Sequence, residues 1–251
     1  MTINKGTKFV VLTSQRSGSA WLISTLNMIN DSTAYSELFL DRKRIPGEKK
    51  WDSDFAYPRF IEKKHNGLAL RPFSVFSYLK GLYQNPGAVG FKLMYSQLRA
   101  YPEILFYLVR HRIRIVHLIR QNHLDVVISH AIRSKTKQSH LVTGQAKKDV
   151  QVKLDPNTLI SQLKKLQRNI MLARRLLRWL KLPHIEVAYE DLLRDHSHFA
   201  LIWEFLSINQ EGFVPQSNLV KIRKGNPADV ISNYEEIKTV LAGSSFANLI
   251  D

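Results

Sequence analysis

The chain reads as an α/β protein built on a central, mainly parallel sheet flanked by helices, and two observations predict this. Short apolar runs bounded by turn residues recur at 9–12, 89–93, 113–119 and 185–187, with a weaker one near 33–35. Between them lie segments with helical spacing, at 21–29, 73–83, 124–132, 159–180 and 199–206. Strands that alternate with helices imply βαβ units, because parallel strands need a crossover that covers a face of the sheet. No internal repeat or linker interrupts the pattern, so residues 1–251 are expected to form a single domain, long enough for a sizeable core.

The first run, Phe9-Val10-Val11-Leu12, is apolar and rich in β-branched residues, and it stops at Thr13-Ser14. A small-residue loop follows, Gln15-Arg16-Ser17-Gly18-Ser19, and then Trp21, Leu22, Leu26 and Ile29 recur at helical spacing. The longest helical segment places apolar residues at 159, 163, 166, 170, 173, 177 and 180, one continuous core stripe. Its basic residues (Lys164, Lys165, Arg168, Arg174, Arg175 and Arg178) fall largely off that stripe and read as a solvated face. Two segments break the rhythm. Residues 41–65 are rich in charge and turn formers, with Trp51 and Phe55 interleaved, and residues 133–153 are polar and basic. Loops this long inside a compact domain act as lids or are disordered.

A formal charge of +16 is the strongest compositional deviation and predicts an anionic partner. Zinc-finger spacing, an RNA-binding aromatic signature and a long basic tail are all missing, which disfavours nucleic acid. The absence of cysteine excludes disulfides, thiolate metal sites and a cysteine nucleophile. No apolar run approaches the roughly 18 residues of a membrane span, and the N-terminus enters a strand without a secretory pattern. A cytoplasmic protein is the expectation.

A strand, a tight small-residue turn and a helix start make a phosphate cradle, because the N–H groups of a helix N-terminus point at the ligand and the dipole favours an anion. Arg16 and the hydroxyls of Ser17 and Ser19 are expected to add donors. The loop differs from the magnesium-dependent triphosphate cradle, G-x-x-x-x-G-K-[S/T], since its basic residue precedes Gly18 by two positions and no Lys-Ser or Lys-Thr follows. A magnesium-dependent kinase is therefore disfavoured. Two further constellations follow. A strand ends at Arg120, outside the carboxyl end where open α/β sheets bind ligands, and the next helix carries Ser129. Residues 222–233 read IRKGNPADVISN, a turn whose Arg-Lys-Gly can fold over a phosphate.

Together these segments resemble the P-loop sulfotransferases that use 3′-phosphoadenosine-5′-phosphosulfate (PAPS). Gln15-Arg16-Ser17-Gly18-Ser19-Ala20-Trp21 aligns with the family's x-P-K-S-G-T-T-W loop, with Gln for Pro and Arg for Lys. Arg120 and Ser129 match an Arg and Ser that hold the donor's 3′-phosphate, although nine residues separate them here where the family usually has eight. Arg223, Lys224, Gly225, Asp229 and Asn233 match R-K-G-x-x-G-D-W-K-N, and Tyr189-Glu190-Asp191-Leu192 matches a structural Y-E-D-L. The resemblance implies a P-loop-like three-layer fold and metal-free sulfuryl transfer to a hydroxyl or amine of a glycan, lipid-linked or small-molecule acceptor.

It also implies residue roles. Arg16 and the N–H groups of Ser17, Gly18 and Ser19 would hold the 5′-phosphate and bridging oxygen, with Ala20 and Trp21 completing the loop. Trp21 is expected to anchor the first helix in the core rather than stack on adenine. Arg120, Ser129, Arg223, Lys224 and Gly225 would clamp the 3′-phosphate, and Lys92 would sit near the transferred group. Cytosolic members place a His base two residues after that Lys, but Met94 stands there, so the bacterial carbohydrate-type branch with a Glu after the second strand is the better match. Glu37 fits that placement, with His65, His123 and His130 as rivals. The basic loops hint at an acidic or polymeric acceptor. A non-catalytic nucleic-acid-binding P-loop protein and a nucleotide-dependent kinase remain as alternatives.

Overall fold

The computed structural model describes residues 6–39, 60, 71–136, 141–142, 150–209, 219–220 and 226–250. Five strands build the central sheet: β1 (Lys8–Thr13), β2 (Ser32–Glu37), β3 (Ala88–Met94), β4 (Arg114–Ile119) and β6 (His184–Ala188). All pair in parallel, in the order β2-β3-β1-β4-β6, which puts β1 at the centre. A two-residue strand β5 (Leu141–Val142) pairs antiparallel with β7 (Leu219–Val220) outside that sheet.

Alternation along the central strands divides the core. Phe9 and Val11 of β1, with Val116 and Leu118 of β4, face α1 (Ser19–Leu26), α7 (Tyr189–Arg194) and α8 (Phe199–Leu206). Val10 and Leu12, with Phe91 and Ile115, face α2 (Arg71–Leu82), α4 (Glu103–Arg110) and the second half of α6 (Pro156–Trp179). A helical layer thus lies on each side of the sheet, the three-layer arrangement expected. A third cluster joins α5 (His123–Thr136), the first half of α6 and α10 (Tyr234–Ala242). Each fully buried Leu, Ile or Phe adds roughly 1.5–3 kcal/mol before entropy is counted, so the sheet edge that carries the site rests on a firm base.

Boundaries follow local chemistry. Asp155 caps α6 by accepting from the N–H of Asn157 at 3.1 Å, and Pro156 takes the first helical position, where no N–H is needed. The helices α3 (Tyr95–Ala100) and α4, separated by Tyr101 and Pro102, and the short α9 (Pro227–Val230) and α10 were not expected from periodicity. The predicted loop at 133–153 is corrected in three places. α5 continues to Thr136, Leu141–Val142 forms β5, and Val152 bridges Ile231. Apart from Phe60, whose N–H bonds Leu38 O at 3.0 Å, residues 41–65 lie outside the described residues, as do His65, Trp51 and Phe55.

Candidate active site at the carboxyl edge of the sheet

At the end of β1 the chain turns through two residues in the left-handed region, Arg16 (φ 63°) and Gly18 (φ 82°). Gly18 is required twice over. An L-residue is strained at that φ, and a Cβ there would stand 2.1 Å from the Tyr189 ring. Gly18 is also the N-cap of α1 and supplies no side-chain cap. The N–H groups of Trp21 and Leu22 bond Gly18 O at 3.0 and 3.3 Å. Among the described residues it is therefore the N–H groups of Ser19 and Ala20 that have neither an intrahelical carbonyl nor a capping side chain, the condition in which a helix end receives an anion. The Ser17 hydroxyl departs from expectation. It is fully buried and donates to Ser14 O at 2.9 Å, with Thr13 Oγ1 also in contact, so it closes the loop rather than offering a donor to a ligand. Thr13 Oγ1 in turn donates to Leu118 O at 2.8 Å, fastening the loop to β4.

Cations gather around this helix end. Arg16 Nε donates to Ser129 Oγ at 2.7 Å, so the nine-residue spacing from Arg120 still brings Ser129 to the loop. Burial first, then Arg133 and Arg120, lowers the Arg16 pKa from the usual guanidinium range to about 10. His130 is lowered by burial and then by Arg16 and Arg133, which holds it toward the neutral form. Arg120 is the buttress. It donates to Arg16 O at 3.0 Å and to Asp125 Oδ2 at 2.6 Å, and its guanidinium lies 5.2 Å from the centre of the Tyr189 ring. Glu190 accepts from the N–H groups of Gln121 and Asn122 at 3.0 and 3.1 Å, fixing the turn between β4 and α5. The Y-E-D-L segment thus packs the loop from behind, as its structural role implies.

On the other side of β1, a bulge between Tyr35 and Glu37 sets Glu37 opposite Lys92 of β3. Lys92 is 5% exposed, and its ammonium lies 3.2 Å from Glu37 Oε1. The second carboxylate oxygen accepts from Gln97 Nε2 at 3.0 Å, while Gln97 Oε1 accepts from the Met94 N–H. A lysine so buried is tolerated because it is paired. Tyr95, two residues before Gln97, lies with its hydroxyl 2.6 Å from His117 Nε2. His117 Nδ1 lies 3.0 Å from Glu186 Oε2, with no hydrogen-bond partner of its own among the described residues. Arg174 grips Glu186 through two bonds of 2.8 and 2.7 Å. A polar chain therefore crosses the sheet from α3 through β4 and β6 to α6.

Arg16, Ser17, Gly18, Ser19, Ala20 and Ser129 come together around one helix end, and Glu37 and Lys92 form a pair at the same edge of the sheet. Trp21 is half-buried, edge-on to Tyr189 and Phe199 at 5.8 and 5.3 Å, which makes it the anchor of α1. Arg223, Lys224 and Gly225 lie outside the described residues. Gln97, Asp125 and Arg133 were missed by sequence reasoning. Only Asp125 left a signal there, as an acid in the first turn of the helix that follows Arg120. Among the described residues no three His, Asp or Glu side chains form a metal-ligating group.

Fold and edge together define an α/β protein with a cationic, uncapped helix end behind its central strand. No protein-family model and no curated protein matches the chain. Among solved structures it is similar to a sulfotransferase from Alicyclobacillus acidocaldarius, at 15% identity and a TM-score of 0.45, over 97% of this chain and 92% of that one.

Proposed function

We propose that the protein is a sulfotransferase that moves a sulfuryl group from PAPS to a hydroxyl or amine of a glycan, lipid-linked or small-molecule acceptor. The observation that carries the reading is the uncapped start of α1 with Arg16 held beside it by Ser129, in a cluster with Arg120 and Arg133. Such an end accepts a 5′-phosphate without a metal, and the cations complement the charge that develops on the leaving phosphate oxygen. Ser129 faces the loop, and Arg223, Lys224 and Gly225, by their resemblance, would add the 3′-phosphate clamp. Arg120, tied to Asp125, contributes by supporting the Arg16 carbonyl as much as by charge.

In the proposed reaction Glu37 takes the acceptor proton, the acceptor oxygen or nitrogen bonds to sulfur, and the bond from sulfur to the phosphate oxygen breaks. 3′,5′-Bisphosphoadenosine leaves. Lys92 and Gln97 orient the Glu37 carboxylate for that role. Calorimetric titration tests the donor. 3′,5′-Bisphosphoadenosine should bind at least about tenfold more tightly than adenosine 5′-monophosphate, the worth of one charge-assisted contact. The double variant Arg223→Ala/Lys224→Ala should erase most of that difference. Equal affinity for the two nucleotides, or a preference for ATP with magnesium, would overturn the reading in favour of a general nucleotide or kinase site.

A further inference from the structure

Helix α6 has two faces. Leu159, Leu163, Ile170, Ala173 and Leu177 face the core. On the outer side Lys165, Arg168, Leu172, Arg175 and Trp179 succeed one another at steps of three or four residues, which places them on one stripe. The stripe runs about 21 Å at 1.5 Å per residue. Leu172 is 51% and Trp179 78% exposed, and none of the three cations pairs with a described carboxylate. The whole helix contains no Asp or Glu. Helix α4, on the same side of the sheet, exposes Phe106 at 70%.

A solvated face alone has no need of a leucine and a tryptophan between its cations. Interleaved cations and apolar side chains match the interface of a bilayer instead. Lys and Arg stems lie along the surface with their charges at lipid phosphates, Trp settles at the headgroup level, and Leu enters the acyl boundary. A nucleic acid would meet the cations but offer little to Leu172. We infer that the outer stripe of α6 is a docking surface for an anionic phospholipid membrane, on which the protein lies without crossing it. A net charge of +16 gives the attraction its reach, and no described helix is long and apolar enough to span a bilayer. The inference does not rest on the reading of the active site.

Vesicle co-sedimentation of the full chain tests it, with phosphatidylcholine vesicles containing about one third phosphatidylglycerol and with phosphatidylcholine alone. Binding should appear on the anionic vesicles and weaken as salt rises. Arg168→Gln/Arg175→Gln should lower the partition coefficient roughly 25-fold, about fivefold for each basic residue removed. Leu172→Ser/Trp179→Ser should also release the protein while leaving every charge in place. Both pairs lie on the surface, so melting temperatures should stay with the parent. Equal binding to neutral and anionic vesicles would overturn the proposal. So would an apolar double variant that binds as the parent does, or RNA binding in the absence of vesicle binding; these would leave α6 as a general polyanion face.

Discussion

Each oxygen of the Glu37 carboxylate has its own donor, Lys92 Nζ on one and Gln97 Nε2 on the other, and this division decides what the side chain can do. A carboxylate oxygen has two lone-pair sites, so both remain able to accept a proton while the group is held in one orientation. Glu37→Gln preserves the shape and removes the basicity. It should lower kcat by about 10²–10⁴-fold while leaving the dissociation constant of 3′,5′-bisphosphoadenosine within about threefold. It also strands the buried Lys92 beside a neutral amide, so the melting temperature should fall; Glu37→Asp keeps the charge and serves as the control. A loss of less than about tenfold would move the base to one of the rival histidines, His65, His123 or His130, of which His130 is shifted toward the neutral form by burial and then by Arg16 and Arg133. The pairing of Glu37 with Lys92 was half legible. The place of Glu37 at the end of β2 came from the sequence, but Lys92, expected at a strand end, lies buried two residues inside β3, and the bulge that aligns the pair and the Gln97 brace depend on how non-adjacent segments meet.

Among the elements, the strand-loop-helix unit of β1 and α1 was the most readable part of the chain, because a continuous apolar run gives way to helical spacing across a run of small residues. Left-handed backbone at a non-glycine, Arg16, was beyond reach, since it is imposed by contacts to Ser129 and Arg120 more than a hundred residues away. Helices α3 and α4 were missed for a related reason. The six residues of α3 are too few for a period to emerge, and α4 is apolar without interruption from Ile104 to Val109, so no helical period shows there. Arg71 fixes α4 through two bonds to Glu103 at 2.5 and 3.2 Å. Gly18→Ala tests the unit as a whole. Left-handed backbone costs an L-residue about 1–2 kcal/mol, and the clash with Tyr189 adds to it. Melting should drop by at least about 4 °C, and binding of 3′,5′-bisphosphoadenosine should weaken at least about tenfold. Adding Tyr189→Ala relieves the clash but not the φ, so only part of the melting temperature should return. A Gly18→Ala protein that melts and binds like the parent would mean that the turn tolerates a right-handed path.

Across the molecule, alternation of strands and helices carried the fold class, because a parallel sheet imposes that rhythm on any sequence. The polar chain Tyr95–His117–Glu186–Arg174 left no such trace. Its members come from α3, β4, β6 and α6, and His117 sits in an apolar strand run where a sequence shows only an interruption. This chain gives the whole fold a pH dependence with a definite sign. Burial first, against the opposing pull of Glu186, lowers the His117 pKa from 6.5 to about 4. Above pH 6.5 the imidazole is neutral whether the protein is folded or not and contributes no slope. Between pH 6.5 and about 4 the unfolded chain takes up a proton that the folded protein refuses, so stability falls as pH falls, by about 3 kcal/mol over the window. His123, His130 and His111 are also lowered and add slopes of the same sign. His117→Gln retains groups able to face Tyr95 and Glu186 but does not titrate. Urea unfolding at a series of pH values should therefore show the variant losing about 2 kcal/mol less than the parent between pH 7 and pH 4.5, whatever its stability at pH 7. Parallel curves for the two proteins would show that His117 is protonated as readily in the fold as in the unfolded chain, and that the Tyr95–His117–Glu186 contact forms around a charged imidazole.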